Sequence, residues 1–172
     1  MSKIVITGFM GSGKSTVARA LASRLEGEML DLDQSIESET GRSASEIIET
    51  DGEPAFRQIE SRILRGALED SAPDVVALGG GAWISEANRK IINGHGALSV
   101  WLDAPFEHCW NRIVESGGAR PLARTKTEAE NLFTQRRTAY ELADIHVHIN
   151  DRRSPAEIAE EIIRALANRK SR

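Results

Sequence analysis

Gly8-Phe9-Met10-Gly11-Ser12-Gly13-Lys14-Ser15-Thr16 puts three glycines, a lysine and adjacent hydroxyls directly after the apolar run Ile4-Val5-Ile6. Glycines let successive backbone N–H groups turn inward onto an anion, and a helix starting at such a turn adds the positive end of its dipole. The spacing from Gly8 to Gly13-Lys14-Ser15 fits a phosphate cradle, GxxxxGK[ST]. In a cradle of this kind Lys14 reaches the β- and γ-phosphates, and the Ser15 hydroxyl is a magnesium ligand. A nucleoside triphosphate donor is therefore expected. The acceptor is not named by these residues.

Four further groups could serve an acceptor. Asp31 and Asp33 close a second apolar run. On a strand they would share a face, one holding magnesium through water and the other accepting a hydroxyl proton; the alternative is a solvated turn that caps a helix. Arg57 and Glu60 stand three apart on one helix face, either as a surface ion pair or with Glu60 orienting Arg57 for bidentate capture of a carboxylate. Gly79-Gly80-Gly81 follows a buried run, where three glycines cost backbone entropy unless something must approach the chain closely. Arg120, in Arg120-Pro121-Leu122, and Arg136 are either solvated charges or cations that neutralise a transferring phosphoryl group.

These groups need elements to hold them. Apolar runs at 4–6, 29–32, 75–78, 98–102 and 145–149 predict strands. Helical spacing predicts helices at about 13–25, through Phe56, Ile59, Ile63, Ala67 and Leu68, from Pro105, and at about 128–142. The last helix opens with the capping box Ser154-Pro155-Ala156-Glu157 and carries Ile158, Ile162 and Leu166 inward. Short helices are expected between residues 33 and 52, and a loop over 117–127. Alternation of strand and helix predicts one α/β domain over residues 1–172: a three-layer α/β/α arrangement with a central parallel sheet of about five strands.

Taken together, the set resembles the shikimate kinase family. The likeness is carried by the cradle, by Asp31 and Asp33, by Phe56-Arg57 with Glu60, and by Gly79, Gly80 and Gly81. Arg120-Pro121-Leu122 and the RxxxYxxAD pattern from Arg136 to Asp144 complete it, in the family's order over nearly the whole chain. The resemblance implies a P-loop kinase fold with a substrate-binding segment at about 33–61 and a mobile lid at about 113–125. It implies magnesium-dependent transfer of the γ-phosphoryl group of ATP to the 3-hydroxyl of shikimate. Gly11, Ser12, Gly13, Lys14, Ser15 and Thr16 would hold the phosphates, with Arg112, Arg153 and Pro155 around the adenine. Ser15 would bind magnesium directly and Asp31 through water. Asp33 would meet the hydroxyl as candidate base; Arg57 and Arg136 would clamp the carboxylate; Glu60 would position Arg57; the three glycines would offer backbone N–H groups. Arg120 would arrive with the lid, catalytic alongside Lys14 and Asp33.

Arg136 is preferred over Arg137 because it stands four before Tyr140, as in the family pattern. Two positions depart from that pattern: Leu78, where many members carry threonine, and Trp83, where a smaller aliphatic residue is common. Trp101 and Trp110 are expected in packing, and His146 with His148 on an exposed strand face rather than at a metal. A net charge of −4, from 22 basic and 26 acidic residues, argues against a nucleic-acid footprint. The lone Cys109 permits no internal disulfide, and no apolar run approaches the roughly 18 residues of a membrane span. A cytoplasmic monomer with no membrane or nucleic-acid partner is expected. The competing readings are a kinase of gluconate or a nucleoside monophosphate, and a nucleotide switch, although no guanine-reading NKxD segment is present.

Overall fold

The computed structural model describes residues 2–117, 124–150 and 152–170. Its five strands are β1 (Ile4–Thr7), β2 (Met29–Asp31), β3 (Val75–Ala77), β4 (Leu98–Asp103) and β5 (Ile145–His148). All pair in parallel, in the order β2-β3-β1-β4-β5. Ile4 lies opposite both Val75 and Leu98, and Asp31 opposite Ala77. Ile4, Val5 and Ile6 are buried, as continuous apolar runs in the middle of a parallel sheet must be.

Helices flank the sheet in two groups. α1 (Lys14–Arg24) packs on α8 (Pro155–Lys170) and on β3, while α4 (Glu53–Glu69) and α5 (Glu86–Gly94) pack on one another. A 3-10 turn, Ala82–Ile84, joins this second group to α7 (Lys126–Tyr140). The expected capping box of α8 is present: Ser154 N–H donates to Glu157 Oε2 at 2.7 Å and Glu157 N–H to Ser154 Oγ at 3.3 Å.

Several expectations need correction. β2 stops at Asp31, so Asp33 lies not on the strand but in the first turn of α2 (Leu32–Thr40). The short helices expected beyond it are present as α2 and α3 (Ala44–Asp51), the latter opened by a Ser43–Glu46 capping box. α5, capped by Ser85, was not expected; only Ile92 and Asn88 are buried on it, too sparse an apolar pattern to read as a helix. Residues 113–115 of the expected lid are the last turn of α6 (Phe106–Glu115), and α7 begins at Lys126 behind a Thr125–Glu128 capping box. Residues 118–123 of the expected lid, Arg120, Pro121 and Leu122 among them, lie outside the described residues.

The AD end of the motif proves to be structural. Asp144 Oδ2 accepts from Ser99 N–H at 3.0 Å and from the Ser99 hydroxyl at 2.7 Å, and Asp144 N–H donates to Ser99 Oγ at 2.9 Å. Arg169 Nη2 donates to Asp144 Oδ1 at 3.2 Å, which ties the end of α8 to the start of β5.

Candidate active site

Strand order brings three distant segments side by side. The carboxyl ends of the neighbouring strands β2, β3 and β1 carry Asp31, the Gly79-Gly80-Gly81 turn and the cradle, and open sheets bind ligands at such ends. Together they line a cavity of about 380 Å³ with Lys14, Ser15, Asp33, Arg57, Glu60 and Arg136.

On the donor side, Gly11 and Gly13 hold φ of 79° and 92°, in the left-handed region that favours glycine. A Cβ on Gly11 would also lie 2.5 Å from the Cys109 carbonyl oxygen, so α6 closes against the loop. Burial pushes the Cys109 thiol up to about 12, which leaves it a packing residue. α1 has no side-chain cap and no acidic residue in its first turn, so its leading N–H groups face the loop's concavity. The Ser12 hydroxyl is 2% exposed and has no hydrogen-bond partner among the described residues. Lys14 Nζ donates to the Phe9 carbonyl at 3.0 Å, folded along the loop. Ser15 Oγ donates to Asp31 Oδ2, and Asp31 Oδ1 accepts from the N–H groups of Asp33 and Gln34 at 3.1 and 3.2 Å. Asp31 thus caps α2 and touches the cradle hydroxyl at the same time.

On the acceptor side the glycines make room for charged groups. A Cβ on Gly79 would lie 2.6 Å from Asp33 Oδ1, and one on Gly81 would lie 2.9 Å from Arg57 Nη1. Arg57 Nη1 donates to both oxygens of Glu60 at 2.9 Å. Glu60 is 1% exposed, and burial pushes its carboxyl above the ordinary value, while Arg57 and Arg136 pull it back and Asp33 adds to the push. Arg136 is 7% exposed, and among the described residues no carboxylate forms an ion pair with it. The Tyr140 hydroxyl stands against it and donates to the Gly80 carbonyl at 2.5 Å. Burial pushes Tyr140 up to about 12, so it stays a neutral donor. Trp83 answers from the glycine turn, its indole N–H reaching the Ala139 carbonyl at 2.8 Å. Its bulk is spent on fastening α7, one turn from Arg136.

Arg137 faces elsewhere. It forms a fork on Asp103 at 2.9 and 3.2 Å and lies over Trp101 at 5.0 Å. His146 and His148 occupy the exposed face of β5, and no cluster of metal-ligating residues occurs among the described residues. Trp101 is buried against Tyr140, and Trp110 stacks on Phe106.

Arg112 borders both the main cavity and a smaller one of about 90 Å³ that it shares with Ser12, Thr16, Arg153 and Pro155. This second cavity lies beyond β5, lined by Ile149 and Asn150, on the opposite side of the cradle from Asp33. Ala44, Ser45, Ile48 and Phe56 also line the main cavity, from α3 and α4. Sequence reasoning missed the three on α3, since a short helix with one buried residue, Ile47, shows no face pointing to a ligand.

The shikimate kinase family model matches residues 10–167. The chain is 44% identical over 170 residues to a shikimate kinase of Ruegeria pomeroyi, covering 97% of this chain and 86% of that one. Its fold matches a solved shikimate kinase of Acinetobacter baumannii, in complex with shikimate, with a TM-score of 0.90 and 30% identity, over 100% of this chain and 96% of that one. A gluconokinase from Sinorhizobium meliloti matches with a TM-score of 0.68 at 20% identity, over 97% and 92% of the two chains, a likeness of fold alone.

Proposed function

This chain belongs to the shikimate kinase family and phosphorylates shikimate from ATP, and on that premise we propose how its residues divide the reaction. The cradle and Lys14 hold the triphosphate, Asp33 meets the 3-hydroxyl of shikimate, and Arg57 with Arg136 clamps its carboxylate. The observation that carries this reading is Arg136, a buried guanidinium lining the cavity with no carboxylate paired to it among the described residues. A charge removed from water calls for a counter-charge, and an anionic ligand supplies one.

Phosphoryl transfer passes through a loose transition state, so catalysis rests on positioning and charge neutralisation. Asp33 lies against Gly79 on the wall of the cavity that the cradle and the two arginines also line. From there it orients the acceptor hydroxyl and can take its proton. Glu60, held away from solvent, fixes the Arg57 guanidinium. Ser15 and Asp31 offer hard oxygen donors in contact, which fits magnesium, Asp31 acting through water. When bound, the ion would neutralise charge on the phosphates. Arg112, Arg153 and Pro155 border the smaller cavity, which suits the adenine. Arg120 belongs to this proposal as the residue a lid would bring onto the phosphates. The chain is read as a cytoplasmic monomer without nucleic-acid or membrane partners; no described helix is long and apolar enough to cross a membrane.

The test is ADP release measured with shikimate and with gluconate, for the parent and Asp33→Asn. Shikimate should support turnover and gluconate should not, while the variant loses about 10²- to 10⁴-fold in kcat with ATP binding intact. Full turnover in the variant would remove Asp33 from the chemistry.

A further inference from the structure

Arg57 reaches the cavity with its donors already committed to two carboxylates of its own helix. Nη1 serves both oxygens of Glu60, while Nε and Nη2 donate to Glu53 Oε1 at 3.3 and 3.1 Å. The two partners differ in how readily they let go. The Glu60 side chain is 1% exposed and that of Glu53 is 46% exposed. Breaking a buried pair strands a charge away from water, whereas an exposed pair is weak and its carboxylate rehydrates on release. A carboxylate needs two N–H groups on one edge of the guanidinium for bidentate capture. The edge that can be vacated is the one Glu53 holds.

Resting on the reading that Arg57 receives the substrate carboxylate, we propose that Glu53 is an internal competitor for that carboxylate. Before the acceptor binds, it occupies the Nε–Nη2 edge, keeping Arg57 aimed along the cavity wall. The substrate's carboxylate displaces it, and the free energy of that exchange sets the acceptor affinity. An acceptor without a carboxylate leaves Glu53 in place and gains nothing from Arg57. Glu53 is thereby a specificity-determining residue that the substrate replaces.

Titration calorimetry of shikimate into the full chain tests this. Glu53→Gln should tighten the dissociation constant by about two- to fivefold, the scale of a half-exposed ion pair. Glu49→Gln removes an exposed carboxylate on the neighbouring α3 that is paired with Arg124 rather than Arg57, and should leave the constant unchanged. Arg57→Ala should weaken shikimate binding at least about tenfold and abolish the gain from Glu53→Gln in the double variant. Equal tightening in both glutamate variants would reduce the effect to net charge and overturn the competitor. Weakening in Arg57→Ala without tightening in Glu53→Gln would overturn the competitor alone. An unchanged constant in Arg57→Ala would overturn the carboxylate clamp with it.

Discussion

Glu60 shows how burial of a single carboxyl ties stability to pH. Its carboxyl is buried against Arg57 and its pKa is raised by that burial, so the folded protein holds the Glu60 proton more readily than the unfolded chain. The stability tied to this group is therefore fully present at low pH and is lost as pH rises through the folded value. Glu60→Gln keeps the shape and removes the ionisation. The difference in Tm between the variant and the parent should move in the variant's favour between about pH 4 and pH 7, followed by pH-dependent melting. A difference that moves the other way would mean that Arg57 outweighs burial. Shikimate turnover should fall in the same variant, because Arg57 loses its bidentate anchor. At this scale the sequence offered a choice between a surface pair and a positioning pair. Burial of Glu60 excludes the surface pair, and burial is not readable from a spacing of three.

Among the elements, the glycine turn after β3 has the sharpest consequence. Gly81 gives space to the Arg57 guanidinium and Gly79 to the Asp33 carboxylate, so a methyl group at either point displaces one of these side chains. Gly81→Ala should raise the KM for shikimate by on the order of tenfold or more with little change in the KM for ATP, as a misplaced clamp demands. Steady-state kinetics with each substrate varied separately checks this; equal effects on both would point to general disruption. The sequence foresaw that something approaches these glycines, expecting the substrate. The structure adds that two of this chain's own side chains already do. The Asp31–Asp33 pair shows the opposite case. Both residues reach the cavity, but a helix start rather than a shared strand face brings them there, because Asp31 caps the helix that Asp33 enters.

For the whole molecule, the sheet order and its fastenings set the site. Asp144, Ser99 and Arg169 bind β5, β4 and α8 together far from the chemistry. Asp144→Ala should cost about 2 kcal/mol of unfolding free energy in denaturant titration, since it leaves the Ser99 donors unpaired. The KM values for both substrates should stay near those of the parent. By itself the sequence determined the strand and helix alternation, the cradle motif and the family, because these depend on local periodicity and on motifs with a fixed local geometry. It favoured Arg136 over Arg137, and the structure pairs Arg137 with Asp103. Only the tertiary structure decided which charges are spent and which are available. Arg57 is shared between a buried and an exposed glutamate, and Arg136 is buried without a paired carboxylate among the described residues. Pairing and burial depend on which elements meet in space, and no spacing along one chain encodes that.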